Sequence, residues 1–544
     1  MLFSFFALFP VYSENAPKHQ VVKAVNLSPV QSAAVSGFGC VNNGNYYTID
    51  SGAGLVFEVN SSSGDITSLK FNNGPEMQLA QKGSHISSGL GKGTRVSVDT
   101  SHTDILKITL IHEPITHYLV VKRGINNIYM ATYVTAEPQV GELRWITRLR
   151  DGIFTNVPSC SNLTGTNGNV ESKDIFGVGD GTTHSKFYGN QQAKDLTIRG
   201  VTGSGVGVFM AYGNRESSSG GPFFRDIQNQ TFEVYNYMNS GHGQTEPVRV
   251  GVLHGPYALC FTNGSTPLVP DMSFMGDLGL TGWVPTSVRG SVVGKGLSGM
   301  NPAFVYTVGF SNQTAQYWTT AKTSDGSFEC RDMKPGIYKM IVYKGELDVS
   351  SADVTVTTGT VTSLDTQKVT DPSTAPVIWR IGDWDGTPLE FNNGGNISQM
   401  HPSDKRNASW GPTTYVVGSD TAKNFPAILW KGQSNPTTIK FNLTANQVVA
   451  HTVRIGITTS FAGGRPQIQV NGWGSPLPKA PAESKSRTLT IGTYRAYNTM
   501  FTYQVPASAF VSGENTMTVN VQSGSGSPSG WLSACVGIDC VDMY

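Results

Sequence analysis

The chain has 544 residues, too many for one hydrophobic core, so two to four domains are expected. Charged residues make up only 14% of it, against roughly 25% in a typical globular chain, and the formal net charge is +1. With no basic stripe and no acidic tail, the balance argues against nucleic acid or an anionic membrane surface as partner.

Residues 2–12, LFSFFALFPVY, are the only apolar run at the N-terminus. The run is too short to span a bilayer and lies where a secretory signal would lie, though no Lys or Arg precedes it. Residues 1–36 therefore read as a signal-like leader and linker. Nine N-x-S/T sequons support secretion: Asn26, Asn60, Asn162, Asn229, Asn263, Asn312, Asn396, Asn407 and Asn442. The six cysteines include no CxxC, which argues against a zinc ribbon or thioredoxin-like site. Their even number permits disulfides in 15 pairings, with Cys535–Cys540 the first local pair to test.

From about Ser36 short alternating stretches such as Leu55-Val56-Phe57-Glu58-Val59 are split by Asn/Gly/Ser clusters. No long segment carries apolar residues at helical spacing, so the expected class is all-β. Composition breaks at 276–288 and at Asp371-Pro372-Ser373-Thr374-Ala375-Pro376 divide the chain into 37–280, 281–370 and 376–544. The middle piece has the size of a small β-sandwich. Within it, Met333-Lys334-Pro335-Gly336 reads as a tight turn into an edge strand. The last piece reads as a jelly-roll-like sandwich.

Four segments attract attention as chemistry. Residues 141–150 place Arg144, Arg148 and Arg150 on one strand face, either a solvated edge or a cationic wall for an anion. Lys186 sits in Thr183-His184-Ser185-Lys186-Phe187-Tyr188, and its blander reading is a surface lysine. In 233–246, Tyr235 and Tyr237 share a strand face, and Asn239-Ser240-Gly241 turns to deliver His242. A histidine between two glycines on a loop is poorly placed for packing and well placed for ligand contact. In Glu216–Asp226 a Gly-Gly-Pro gives close backbone approach, and Arg225-Asp226 suits holding a loop. His112 and His117 read as strand or loop residues, and no HExxH, phosphate loop or GxSxG occurs.

At these residues the chain resembles the fungal rhamnogalacturonan lyases of polysaccharide lyase family 4. The matching words run in order. They include Gly83-Ser84-His85-Ile86, Gly141-Glu142-Leu143-Arg144, Ser185-Lys186-Phe187-Tyr188, Glu216 through Asp226, and Tyr237-Met238-Asn239-Ser240-Gly241-His242 with Gln244-Thr245-Glu246. Later come His254-Gly255-Pro256-Tyr257, Met333-Lys334-Pro335-Gly336, Met400-His401-Pro402-Ser403-Asp404 and Ser460 through Pro466. The leader and the cysteines depart from the pattern.

The resemblance implies a β-super-sandwich catalytic domain, a fibronectin-III-like domain and a jelly-roll carbohydrate-binding-like domain. It implies a secreted, monomeric enzyme that cleaves the rhamnogalacturonan I backbone of pectin by β-elimination. Lys186, His242, Arg144 and Tyr237 would be catalytic, and Tyr235, Glu246, Arg225 and His85 would contact substrate. Arg144 would pair with the uronate, Lys186 serve as base and His242 as acid, with base and acid open to exchange. A free lysine, with a pKa of about 10.4, would need Arg144, His242 and desolvation to lower it. No cofactor is required; a structural Ca²⁺ is left open. The rivals are a glycoside hydrolase, a non-catalytic wall-binding protein and a mutarotase-like enzyme.

Overall fold

The computed structural model describes residues 37–138, 141–484, 486–523 and 530–544. The expected leader and the sequon at Asn26 lie outside them. Among the described residues the regular structure is strands joined by turns and short 3-10 segments, without an α-helix. The expectation of an all-β chain holds, and its cause is visible in single strands. Leu55–Asn60 alternates buried and half-buried residues, burying Leu55, Phe57 and Val59 against one core.

The first module is built on an eight-stranded antiparallel sheet. One face packs through Leu119, Met130 and Val208 onto two four-stranded sheets. The other face is covered by Met272, Met275, Leu278 and Leu280. The apparent break at 276–288 thus begins as a cap on the first module.

One of the four-stranded sheets runs Asn229–Gln230, Glu233–Asn239, Leu143–Arg148, His85–Ile86. Its inner face gives Leu143, Trp145, Val234 and Met238 to the core. Its outer face carries Arg144, Ile146 and Arg148 opposite Tyr237, Tyr235 and Glu233, residue for residue. Above that face lies a three-stranded sheet, Gly168–Glu171, Ile175–Gly177 and Thr183–Ser185.

The second module pairs a three-stranded with a four-stranded sheet around Val292, Tyr306, Phe310, Tyr338 and Met340. Gly336–Lys344 is an interior strand of it, between Tyr306–Ser311 and Leu347–Val356, and not the edge strand expected. The third module closes two five-stranded sheets over Trp379, Phe391, Trp430, Ile455 and Val519.

The two-proline segment between them is pinned. Asp371 accepts a bond from Ser373 N, and its carboxylate lies 2.8 Å from the buried Lys344 Nζ. All six cysteines are free. Cys535 and Cys540 are five residues apart on one extended strand, which at roughly 3.3 Å per residue puts their Cα atoms about 16 Å apart, far past the reach of a disulfide. Asn229 is fully buried, so its sequon is closed in the folded chain. No helix among the described residues is long and apolar enough to cross a membrane.

Candidate active site

The outer face of the Leu143–Arg148 strand sets the site. A register shift at Leu143/Arg144 puts Arg144 opposite Tyr237, whose hydroxyl oxygen accepts from Arg144 Nη1 at 2.5 Å. The guanidinium also lies 5.4 Å from the Tyr237 ring centroid and is ion-paired to Glu142. Its Nε has no hydrogen-bond partner among the described residues. Burial works against the arginine's charge, but Tyr237 and Glu142 outweigh it and raise its pKa. Burial pushes the Tyr237 phenol well above the ordinary range, so it stays neutral.

Past the end of the neighbouring strand, Ser240 and Gly241 turn the chain and present His242. Asp226 fixes this turn. Its carboxylate accepts from Ser240 Oγ, from Ile227 N at 2.7 Å and from His242 Nδ1 at 3.2 Å. With Nδ1–H given to Asp226, Nε2 faces Glu142 Oε1 at 3.5 Å. Burial alone would lower the His242 pKa. The charge and hydrogen bond of Asp226 and the charge of Glu142 more than offset it, while Lys186 opposes them, and the result is above the ordinary value.

Lys186 arrives on the turn after Thr183–Ser185. Asn190 Nδ2 donates to its carbonyl at 2.9 Å, and its Nζ pairs with Asp174 at 2.8 Å. Phe187 joins the two loops, its ring 5.0 Å from that of His242 and nearly perpendicular to it. Arg144, Tyr237, His242 and Lys186, scattered over about a hundred residues of sequence, therefore meet.

The remaining candidates divide. Tyr235 stacks on Tyr237 at 5.9 Å and donates to Glu233, and Arg148 pairs with Glu233 at 3.2 Å. His85 accepts from Arg148, and burial with Arg148 nearby lowers its pKa to about 4. With Lys82 and Arg148 it lines an open cavity of about 340 Å³ beside the cluster. Arg225 turns to Tyr494 of the third module, 3.1 Å from its hydroxyl. Glu246 does not join the cluster: it accepts from Gly220 N and from Ser311 Oγ and pairs with Arg249, at the junction with the second module. Arg150 lies beyond the strand end and is exposed.

The sequence reading did not assign Glu142, Asp174 or Asp226 to the site. Two of the three stood inside words already singled out, Glu142 beside Arg144 and Asp226 in the stretch expected to hold a loop. His117 is no ligand: it is fully buried, bonded to Thr132 and stacked on Trp145 behind the arginine strand. Among the described residues no group of three or more His, Cys, Asp or Glu has metal-holding geometry. Two cavities of about 440 and 400 Å³ lie at the junction of the first two modules, around Trp283, Tyr317 and Arg331. The acid–base groups are elsewhere, half-buried or buried on the outer face of the Leu143–Arg148 sheet.

Three β-modules in series, with one cationic acid–base cluster on the first, define the class as a multimodular polysaccharide-active protein. Family comparison narrows it. "Rhamnogalacturonan lyase B, N-terminal" matches residues 38–282, "Polysaccharide lyase family 4, domain II" residues 287–364, and "Polysaccharide lyase family 4, domain III" residues 377–543. Rhamnogalacturonate lyase A of Emericella nidulans is 44% identical, over 94% of this chain and 97% of that one. The protein of the same name from Aspergillus aculeatus is 42% identical, over 94% and 97%. The putative rhamnogalacturonase of Neurospora crassa is 42% identical, over 97% and 98%. The chain belongs to polysaccharide lyase family 4.

Proposed function

We propose that the protein is an endo-acting rhamnogalacturonan lyase. It cleaves the rhamnose-(1→4)-galacturonic acid bonds of the pectin rhamnogalacturonan I backbone by β-elimination and leaves 4,5-unsaturated galacturonate ends. The observation that carries this reading is the meeting of Arg144, Tyr237, His242 and Lys186 in one cluster.

Elimination requires the C5 proton, α to a carboxylate, to become removable. Arg144 pairs with that carboxylate and stabilises the charge that develops on it. Lys186, as the neutral amine released from its pair with Asp174, takes the C5 proton. The electron pair forms the C4–C5 double bond, the C4–O4 bond breaks, and His242 gives its proton to O4. The raised His242 pKa supports the acid role, since the imidazole arrives protonated. Tyr237, neutral and bonded to Arg144, holds the guanidinium toward the sugar. Glu142, between Arg144 and His242, marks where an anion is favoured. His85 and Arg225 flank the polymer, and Tyr235, buried and stacked on Tyr237, backs it. The reading calls for no catalytic cofactor and for secretion of a monomer; a structural Ca²⁺ is no part of it.

Hydrolysis needs two carboxylates free to act on a glycosidic bond. Asp226 is buried and spent on Ser240, Ile227 and His242, which disfavours that rival. The test is ultraviolet absorbance during incubation with de-esterified rhamnogalacturonan I, beside Lys186→Ala and His242→Ala. Absorbance should rise for the parent and vanish in both variants. Chain cleavage without new absorbance points to hydrolysis, and no cleavage points to a binding protein.

A further inference from the structure

We infer that residues 486–497 of the third module are the positioning element of the acid–base pair, holding the loops of His242 and Lys186 in mutual register from outside the catalytic module. The inference rests on the roles given above.

On the His242 side, Gly243 N, one residue past the imidazole, donates to Ser486 Oγ at 3.1 Å. Tyr497 Oη donates to the carbonyl of Thr245 at 3.0 Å. Gly243 has φ +70°, and a Cβ there would meet Thr493 Cγ2 at 3.4 Å, so the third module packs against the loop backbone itself. The loop is thus tied at both ends of 243–245 to one foreign segment and at Ser240 to Asp226.

On the Lys186 side the same segment is tighter still. Tyr188 Oη donates to Thr490 O at 2.7 Å, and Ile491 is buried with Phe187, Tyr188, Tyr235 and Tyr237. Gly492 has φ +79°, and a Cβ on it would lie 2.4 Å from the Phe187 carbonyl oxygen. No other residue fits between this segment of the third module and the lysine turn. A second contact reinforces it, because Asp404 accepts from Thr183 N and from Thr183 Oγ1 at 2.8 Å, and Gly189 N donates to Ser398 O at 2.9 Å.

Neither Ser486 nor Tyr497 touches the reacting groups, so both act through the loop. A displacement of about 1 Å at a reacting group costs up to about 100-fold in rate. The test uses the full chain with Ser486→Ala, Ser486→Thr and Tyr497→Phe. In Ser486→Ala and Tyr497→Phe, kcat should fall between about 10- and 100-fold with KM changed less than about 2-fold. Ser486→Thr, which keeps the hydroxyl, should recover most of the loss. Titration of isotope-labelled histidine by NMR should show the His242 midpoint moving down in the first two variants as the ring slips from Asp226. That readout needs no activity, so it still decides the inference if the parent yields no unsaturated product. An unmoved His242 midpoint overturns it, and so does a loss of kcat that only follows a loss of thermal stability.

Discussion

At the scale of single residues, the site is four basic or phenolic groups held by three carboxylates. Asp226→Asn keeps the shape of the carboxylate but removes the charge that raises the His242 pKa. The basic limb of the kcat profile should move to lower pH and kcat should fall by about 10- to 100-fold, within the usual share of general acid catalysis. A profile that stays in place would remove His242 from the acid role. The linkage has a definite sign. Because the folded pKa of His242 is raised, its contribution to stability is complete below about 6.5 and is lost as pH rises through the raised value. Strand alternation set Arg144 and Tyr237 on strand faces and a glycine turn set His242 on a loop, but their roles came from the resemblance. Lys186 rested on resemblance alone, since nothing local separates it from a surface lysine. Asp174 was illegible, because its partner lies in another loop and no period relates the two.

At the scale of elements, the junction of the first two modules is a buried ion cluster. Glu216 receives Arg289 Nη1 at 2.6 Å and Lys334 Nζ at 3.0 Å, with Tyr317 Oη at 2.7 Å. Burial would raise its pKa, but Arg289 and Lys334 win and bring it to about 2. Glu216→Gln would leave two cations without their counter-charge, at a cost of about 3–5 kcal/mol in urea unfolding. A loss under about 1 kcal/mol would mean that water reaches the cluster and screens it. Trp145→Ala, behind the arginine strand, should likewise cost about 3–5 kcal/mol. The strands themselves were readable from alternation. The strand order was not: Gly336–Lys344 looked like an edge because Pro335 precedes it, yet proline removes only its own donor and the strand pairs on both sides.

At the scale of the whole molecule, the first and third modules answer pH in opposite directions. Burial lowers His85 and His254 to about 4 and His117 to about 3, all in the first module. Between those values and about 6.5 the unfolded chain binds more protons at these sites, so the first module should gain stability as pH rises. In the third module burial raises Asp385 to about 6 and Glu390 to about 7, with Asp539 raised well above the carboxylate range. There the folded state binds more protons, and stability should fall as pH rises from about 4 to 7. Hydrogen exchange corrected for intrinsic rate should show protection strengthening in the strands around His117 and weakening in Cys535–Met543 over that range. Parallel trends would contradict the opposed charge states. Composition breaks suggested a division into modules, but nothing in composition could suggest their union. The contacts of Gly492 with Phe187 and of Asp404 with Thr183 join residues hundreds apart, and turn-forming residues look alike whether a loop meets water or another module.

The unpaired cysteines have a practical consequence for production. Secreted β-proteins often owe about 2–5 kcal/mol to disulfides and then require an oxidising compartment to fold. Here Cys535 and Cys540 are sealed in the third module's core, and burial pushes the Cys260 and Cys330 thiols up to about 12, where thiolate chemistry is suppressed. A bacterial cytosol, reducing and without disulfide machinery, should therefore yield the folded protein from a gene that omits residues 1–36. Dithiothreitol added to the purified protein should leave its melting temperature unchanged.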